Sequence, residues 1–152
     1  MILRFFPQVL AALLAAGLFA CSKPLTVEQR VIAAIREMEA KVEDGERRPF
    51  MEHITEDFTA QGGAMTREQV RTLFIYQLNR NKRLNAQLFP INVSDTGNGL
   101  AMARFRALVT GGRNWLPERG QVFDFETHWR LVDDEWLLYS ASWDPVPLEQ
   151  AL

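Results

Sequence analysis

The apolar pattern of this chain changes period once, near Arg83, and that change limits the fold more than any single motif. Before it, apolar residues recur every three or four positions. After it, they alternate with polar ones. A period near 3.6 gives a helix with one buried stripe, and a period of two gives a strand with one buried face. Helices first and turn-linked strands after imply an α+β domain, with the helices packed together on one face of an antiparallel sheet.

The helical half carries two start signals of the same kind. Thr26-Val27-Glu28-Gln29 has the Thr-x-x-Gln spacing of a capping box, in which each end satisfies a backbone N–H of the other. Val27, Val31, Ile35, Met38 and Val42 follow at steps of four, four, three and four, which predicts a helix over 27–44 stopped at Gly45. Arg47 to Ile54 reads as a short second helix, with Pro49 tolerated in its first turn. Thr55 to Ala60 reads as a short strand, broken by Gln61-Gly62-Gly63-Ala64. Thr66-Arg67-Glu68-Gln69 repeats the capping box and opens a helix to about Arg80. Its stripe of Val70, Leu73, Phe74 and Leu78 is widened by Ile75 and Tyr76, which predicts a helix wrapped on more than one side.

The second half is strands. Leu84, Ala86 and Leu88 alternate with polar residues until Pro90, which marks an edge or a bulge because proline cannot donate to a ladder. Ile91 and Val93 resume the pattern, and Asp95 to Gly99 turn the chain. In the strand from Leu100 to Thr110, Ala101, Ala103, Phe105, Ala107 and Val109 share one face, with Arg104 and Arg106 on the other. Gly111 to Gly120 is a connection that carries Trp115, a large aromatic suited to a lid or a partner contact. From Gln121 to Val132 the alternation is clearest: Phe123, Phe125, Trp129 and Leu131 face one way, and Asp124, Glu126, His128 and Arg130 the other. After Asp133-Asp134-Glu135, Trp136 to Trp143 is the last strand. The face with Phe105, Phe123, Phe125 and Trp129 is expected to meet the helices.

The leader is a different kind of segment. Val9 to Ala20 is an apolar run of twelve, which as a helix rises about 18 Å, short of the ~30 Å hydrocarbon core. It therefore reads as a secretory signal rather than a span. It ends in Leu18-Phe19-Ala20-Cys21, and Cys21 is the only cysteine of the chain. This resembles the lipobox of bacterial lipoproteins. The resemblance implies cleavage before Cys21, acylation of Cys21, and, with Ser22 following, sorting to the outer membrane facing the periplasm. Two or three acyl chains anchor a protein durably. The expected organisation is a signal peptide over 1–20, an acylated tether over 21–25, one domain over 26–147 and a tail over 148–152.

Composition narrows the function classes. The 152 residues suit one domain, and 17 Lys plus Arg against 19 Asp plus Glu, with no basic run, give no footprint for nucleic acid. One cysteine excludes a disulfide framework and a thiolate zinc cluster. There is no GxGxxG, Walker loop, GxSxG, HExxH or CxxC, and nothing asks for a cofactor. His53 and His128 lack i,i+4 partners, and solvent exposure of one strand face already accounts for Asp124 and Glu126 beside His128, so no metal site is expected.

A helix ending near Asp44, Ile54-x-x-Asp57-Phe58 leading to Gly62-Gly63, a capped helix from Thr66, and a terminal hairpin through His128-Trp129-Arg130 and Glu135-Trp136 together resemble the nuclear transport factor 2-like superfamily, with its SnoaL-like branch. The resemblance implies a curved sheet wrapped into a cone around the long helix. It also implies a small ligand in the cone, and dimers through the sheet are common in that family. For an enzyme of that kind it points to an inward carboxylate: Asp57 as general base, Tyr76 as its partner, and His53 nearby. Such a base needs an apolar site that raises its pKa. Phe58, Phe74, Phe125, Trp129 and Trp115 are the residues expected to meet a ligand or partner. Three functions follow as expectations. The first is a non-catalytic envelope lipoprotein that binds a small apolar molecule or recruits a protein. The second is a small isomerase, cyclase or hydratase. The third is a structural homodimer.

Overall fold

The computed structural model describes residues 23–81, 83–112 and 119–147. The expected signal peptide, Cys21, Trp115 and the expected tail lie outside the described residues. Among the described residues three α-helices precede or interrupt the strands: α1 (Val27–Glu43), α2 (Arg47–Glu52) and α3 (Arg67–Arg80). The strands are β1 (Ile54–Ala60), β2 (Met65–Thr66), β3 (Arg83–Leu88), β4 (Asn92–Gly97), β5 (Leu100–Gly112), β6 (Arg119–Val132) and β7 (Glu135–Val146). No helix among the described residues is long and apolar enough to cross a membrane.

Both capping boxes form. The Gln29 backbone N–H donates to Thr26 Oγ1 at 3.3 Å and the Thr26 N–H to Gln29 Oε1 at 3.0 Å. Thr66 and Gln69 repeat the exchange at 3.4 and 2.8 Å. The two helices then part company. α1 buries Val31, Ile35 and Met38, as its narrow stripe predicts. α3 buries Phe74, while Leu73 and Tyr76 are exposed. The widened stripe of α3 is thus not wrapped on several sides: one flank meets the sheet and the other stays wet.

The sheet runs β2-β1-β7-β6-β5-β3, with β4 also paired to β5. β3 and β4 lie end to end along one edge, β3 against Ala107–Gly112 and β4 against Leu100–Arg104, separated by the break at Pro90. The expected all-antiparallel sheet needs one correction. β1 pairs parallel with β7, an arrangement that the long connection through α3 and the other strands makes possible, so the curved sheet is mixed. Two mirror-image turns set hairpin register: Asn98-Gly99 (φ 55 and 71) between β4 and β5, and Asp133-Asp134 (φ 47 and 67) between β6 and β7. Asn and Asp tolerate this left-handed geometry better than other side chains.

The strand phasing holds. Phe105, Phe123, Phe125 and Trp129 face the helices, and Asp124, Glu126 and Arg130 face away. Leu131 continues that phase but lies beyond the helical cover, and is exposed. In β7 a register shift opposite His128/Trp129 leaves Tyr139 as an extra residue, so Leu138 points inward before it and Ala141 and Trp143 after it. A bulge of this kind reverses the phase of a strand and bends it.

Candidate functional site

The concave face is packed at one end and hollow at the other. At the packed end Val31, Trp129, Ala101, Ala103 and Trp136 belong to one buried cluster, and Trp129 is only 1% exposed. Its indole N–H donates to Thr127 Oγ1 at 2.9 Å, and that hydroxyl donates to the Ala103 carbonyl at 3.2 Å, so the polar atoms of Trp129 and Thr127 are satisfied, while the buried Trp136 indole N–H has no partner among the described residues.

Toward the β5–β6 turn the inward positions shrink to Ala86, Ala107, Val109 and Gly111, and a cavity of about 770 Å³ opens. Its floor is aromatic: Phe105 stacks on Phe125 (5.3 Å, 10°), and Phe125 meets Phe123 at 6.2 Å and Trp143 at 6.1 Å. Its roof is Ile35, Met38 and Val42 from α1 with Val70 and Phe74 from α3, and Phe50 of α2 closes on Phe74 at 4.7 Å. The lining residues exposed to solvent are Leu73, Arg80, Gly120 and Gln121, which places the mouth beside the C-terminal end of α3. Glu39, Gln77, Arg80, Asn81 and Gln121 are the polar side chains around this end.

Of the residues expected to meet a ligand, Phe58, Phe74, Phe125 and Trp129 all line the cavity. Trp115 lies outside the described residues. The expected acid–base group does not assemble. Asp57 is on the outer face of β1, 67% exposed, with Arg130 Nη2 at 2.6 Å from Oδ1. The Arg130 guanidinium holds its carboxyl below the usual aspartate range, opposite to what a buried general base needs. In β1, Ile54, Thr55, Phe58 and Ala60 take the buried positions, and the shift in register against β7 leaves Glu56 and Asp57 together in water. Tyr76 is 54% exposed and accepts from Arg80 Nη1 at 3.4 Å. His53 follows α2 and sits 3.8 Å from Glu37, in a separate shallow cleft.

The convex face is a set of ion pairs. Arg104 meets Glu126 at 2.7 Å and Arg106 meets Asp124 at 2.7 Å. Arg130 reaches Asp57 and lies over the Tyr139 ring at 5.3 Å. His128 Nε2 is 3.1 Å from the second oxygen of Glu126. Arg106 lowers the Asp124 pKa; Arg104, and then His128, lower that of Glu126. These carboxylates are committed to arginines.

No protein-family model matches this sequence, and no curated protein matches it. Solved structures do. A candidate dehydratase of the nuclear transport factor 2-like family from Streptomyces avermitilis superposes with a TM-score of 0.68 at 18% identity, over 79% of this chain and 96% of that one. The chain has the nuclear transport factor 2-like fold. A candidate scytalone dehydratase from Novosphingobium aromaticivorans shares the fold at a TM-score of 0.66 and 10% identity, over 78% and 83% of the two chains. Bd1075 of Bdellovibrio bacteriovorus contains it as well: TM-score 0.69 and 9% identity over 79% of this chain, which spans only 41% of Bd1075. At these identities the likeness is of fold alone, and the fold hosts unrelated functions.

The rim residues Gln77, Arg80, Asn81 and Gln121 are not among the residues that the sequence points to as meeting a ligand. One signal for them was present. Gln121 is a polar residue in phase with Phe123 and Phe125, and Ala107 and Gly111 are small residues in phase with Phe105. Polar or small side chains at inward positions mark the place where a core stops being filled.

Proposed function

We propose that this chain is a non-catalytic binding protein of the cell envelope, held to the membrane through acylated Cys21, whose cavity takes a small apolar molecule. One observation carries the ligand-binding half of this reading: an apolar cavity of about 770 Å³ with a mouth at one end of the sheet. That volume lies within the usual range of small-molecule sites, which are mostly apolar with a few polar groups at fixed places. A void of this size lined by Phe, Ile, Val and Leu lacks dispersion partners on one side, and a ligand would restore them. The envelope half rests on the run from Val9 to Ala20 and on Cys21 at its edge. An acid–base role for Asp57 has no support from its placement, since its carboxylate is ion-paired in water.

The test is to purify the full-length protein from its membrane in mild detergent and weigh it by native mass spectrometry. The reading predicts a non-covalent adduct that is lost on denaturation. It also predicts that Ala107→Phe, which fills the hollow end, abolishes the adduct. A wild-type protein free of adduct that also takes up no apolar probe would refute ligand binding. The anchor is tested separately: Cys21→Ser should move the protein from the detergent phase to the aqueous phase, and an unmodified N-terminus at residue 21 would refute acylation.

A further inference from the structure

The rim of the cavity has a definite electrostatic character. Among the described residues two charged side chains line it, Glu39 and Arg80. The Glu39 carboxylate is taken up by Arg36 at 2.8 Å. Arg80 has no carboxylate within salt-bridge distance among the described residues; its one side-chain hydrogen bond is to the Tyr76 hydroxyl at 3.4 Å. Its remaining N–H donors are available at the mouth of an apolar cavity. A guanidinium presents a planar fork that matches a carboxylate or phosphate.

A neighbouring amide is held in a complementary way. Asn81 Nδ2 donates to the Gln77 carbonyl at 3.1 Å and to Gln77 Oε1 at 3.4 Å. With its oxygen engaged by Asn81, the Gln77 amide has its NH2 donors left for the cavity. Asn81 can lie there because residue 111 is glycine: a Cβ at that position would stand 2.8 Å from the Asn81 Oδ1 and Cγ. Among the described residues the mouth therefore offers the Arg80 cation and one oriented amide donor above a floor of Phe105, Phe123 and Phe125.

We infer that the occupant of the cavity is an amphiphile whose anionic head, a carboxylate or a phosphate, is held at the rim by Arg80 and Gln77 while its apolar body lies on the aromatic floor. This rests on the ligand-binding reading above and adds the class of ligand. Arg80 supplies the charge; Asn81 and Gly111 act on the head only through Gln77.

The experiment uses two fluorescent probes with one body, 8-anilinonaphthalene-1-sulfonate and the neutral N-phenyl-1-naphthylamine, titrated into the full chain in detergent-free nanodiscs, with empty nanodiscs as reference. The sulfonate probe should bind on the order of tenfold more tightly, the scale expected for a charge-assisted hydrogen bond. Arg80→Gln should erase that advantage, and Gly111→Ala should reduce it. Hexadecanoate and hexadecyl phosphate should displace the sulfonate probe better than hexadecanol does; whichever of the two anions is the stronger identifies the head. Equal binding of the two probes, or an Arg80→Gln variant that weakens both alike, would overturn the head-group assignment while leaving cavity binding intact. Binding of the neutral probe that is unaffected by both Ala107→Phe and Ala86→Phe would instead overturn the cavity reading itself.

Discussion

The two ends of the concave face use the same strands, the same alternation and the same helix above them, yet one is solid and the other hollow. At the solid end β5 contributes Ala101 and Ala103 and β6 contributes Trp129, whose ring fills the space the alanines leave. At the hollow end β5 contributes Ala107, Val109 and Gly111, and the partners across β6 are Phe123, Gln121 and Arg119. Trp143 lines that space from β7 beside Phe125, and the described side chains leave it unfilled. Backbone pattern decides which way a side chain points, and side-chain volume decides whether the interior closes.

The contrast can be broken from the solid side first. Trp129→Ala should cost about 3–5 kcal/mol, read from the midpoint of urea unfolding, because a nearly inaccessible ring leaves a cavity that the sheet cannot collapse into. Thr127→Val should cost about 1–3 kcal/mol in the same assay, since it strands the buried Trp129 indole N–H. Thr66→Ala removes the cap of α3, the helix over the hollow end, and should cost about 1 kcal/mol. It should also weaken probe binding, because α3 forms part of the roof. Ala107→Phe sharpens the contrast from the other side. The same kind of bulk that the solid end needs should leave stability within about 1 kcal/mol of wild type, while ligand binding disappears.

The smallest effect is expected from the outer face. Asp57, Asp124 and Glu126 all have folded pKa values lowered by arginines. A carboxylate of this kind stabilises the fold fully above its unfolded pKa, and the contribution is lost as pH falls through the lowered folded value. Unfolding midpoints should therefore drop modestly as pH falls below about 4, the ordinary carboxylate range. The triple variant Arg104→Ala, Arg106→Ala, Arg130→Ala should flatten that dependence and cost little at pH 7, because these pairs are solvated. A steep loss at pH 7 would mean that the convex face is structural rather than a wet ladder.

Much of this was legible in the sequence, and for local reasons. Thr26 and Thr66 announce their helices because a capping box is a short-range arrangement of four residues. The facing of Phe105, Phe123, Phe125 and Trp129 follows from a strict period of two. The parallel pairing of β1 with β7 was not legible, since it joins segments about eighty residues apart and leaves no periodic trace. The bulge at Tyr139 hid the inward phase of Ala141 and Trp143 for a related reason: one extra residue moves every later side chain to the other face. The outward placement of Asp57 is not legible in the sequence: the family likeness implies an inward carboxylate, whereas the register of β1 gives the inward sites to Phe58 and Ala60. The width of the α3 stripe misled because apolar residues at a cavity mouth, Leu73 among them, look the same in sequence as apolar residues in a core.

The direct test is a methyl NMR titration of the protein with N-phenyl-1-naphthylamine. Shifts concentrated on Leu84, Ala86, Ala107 and Val109, with Val31, Ala101 and Ala103 silent, are the predicted result. Shifts confined to surface methyls such as Leu25, Leu131 and Val132, or no shifts at probe saturation, would contradict a ligand site at the hollow end.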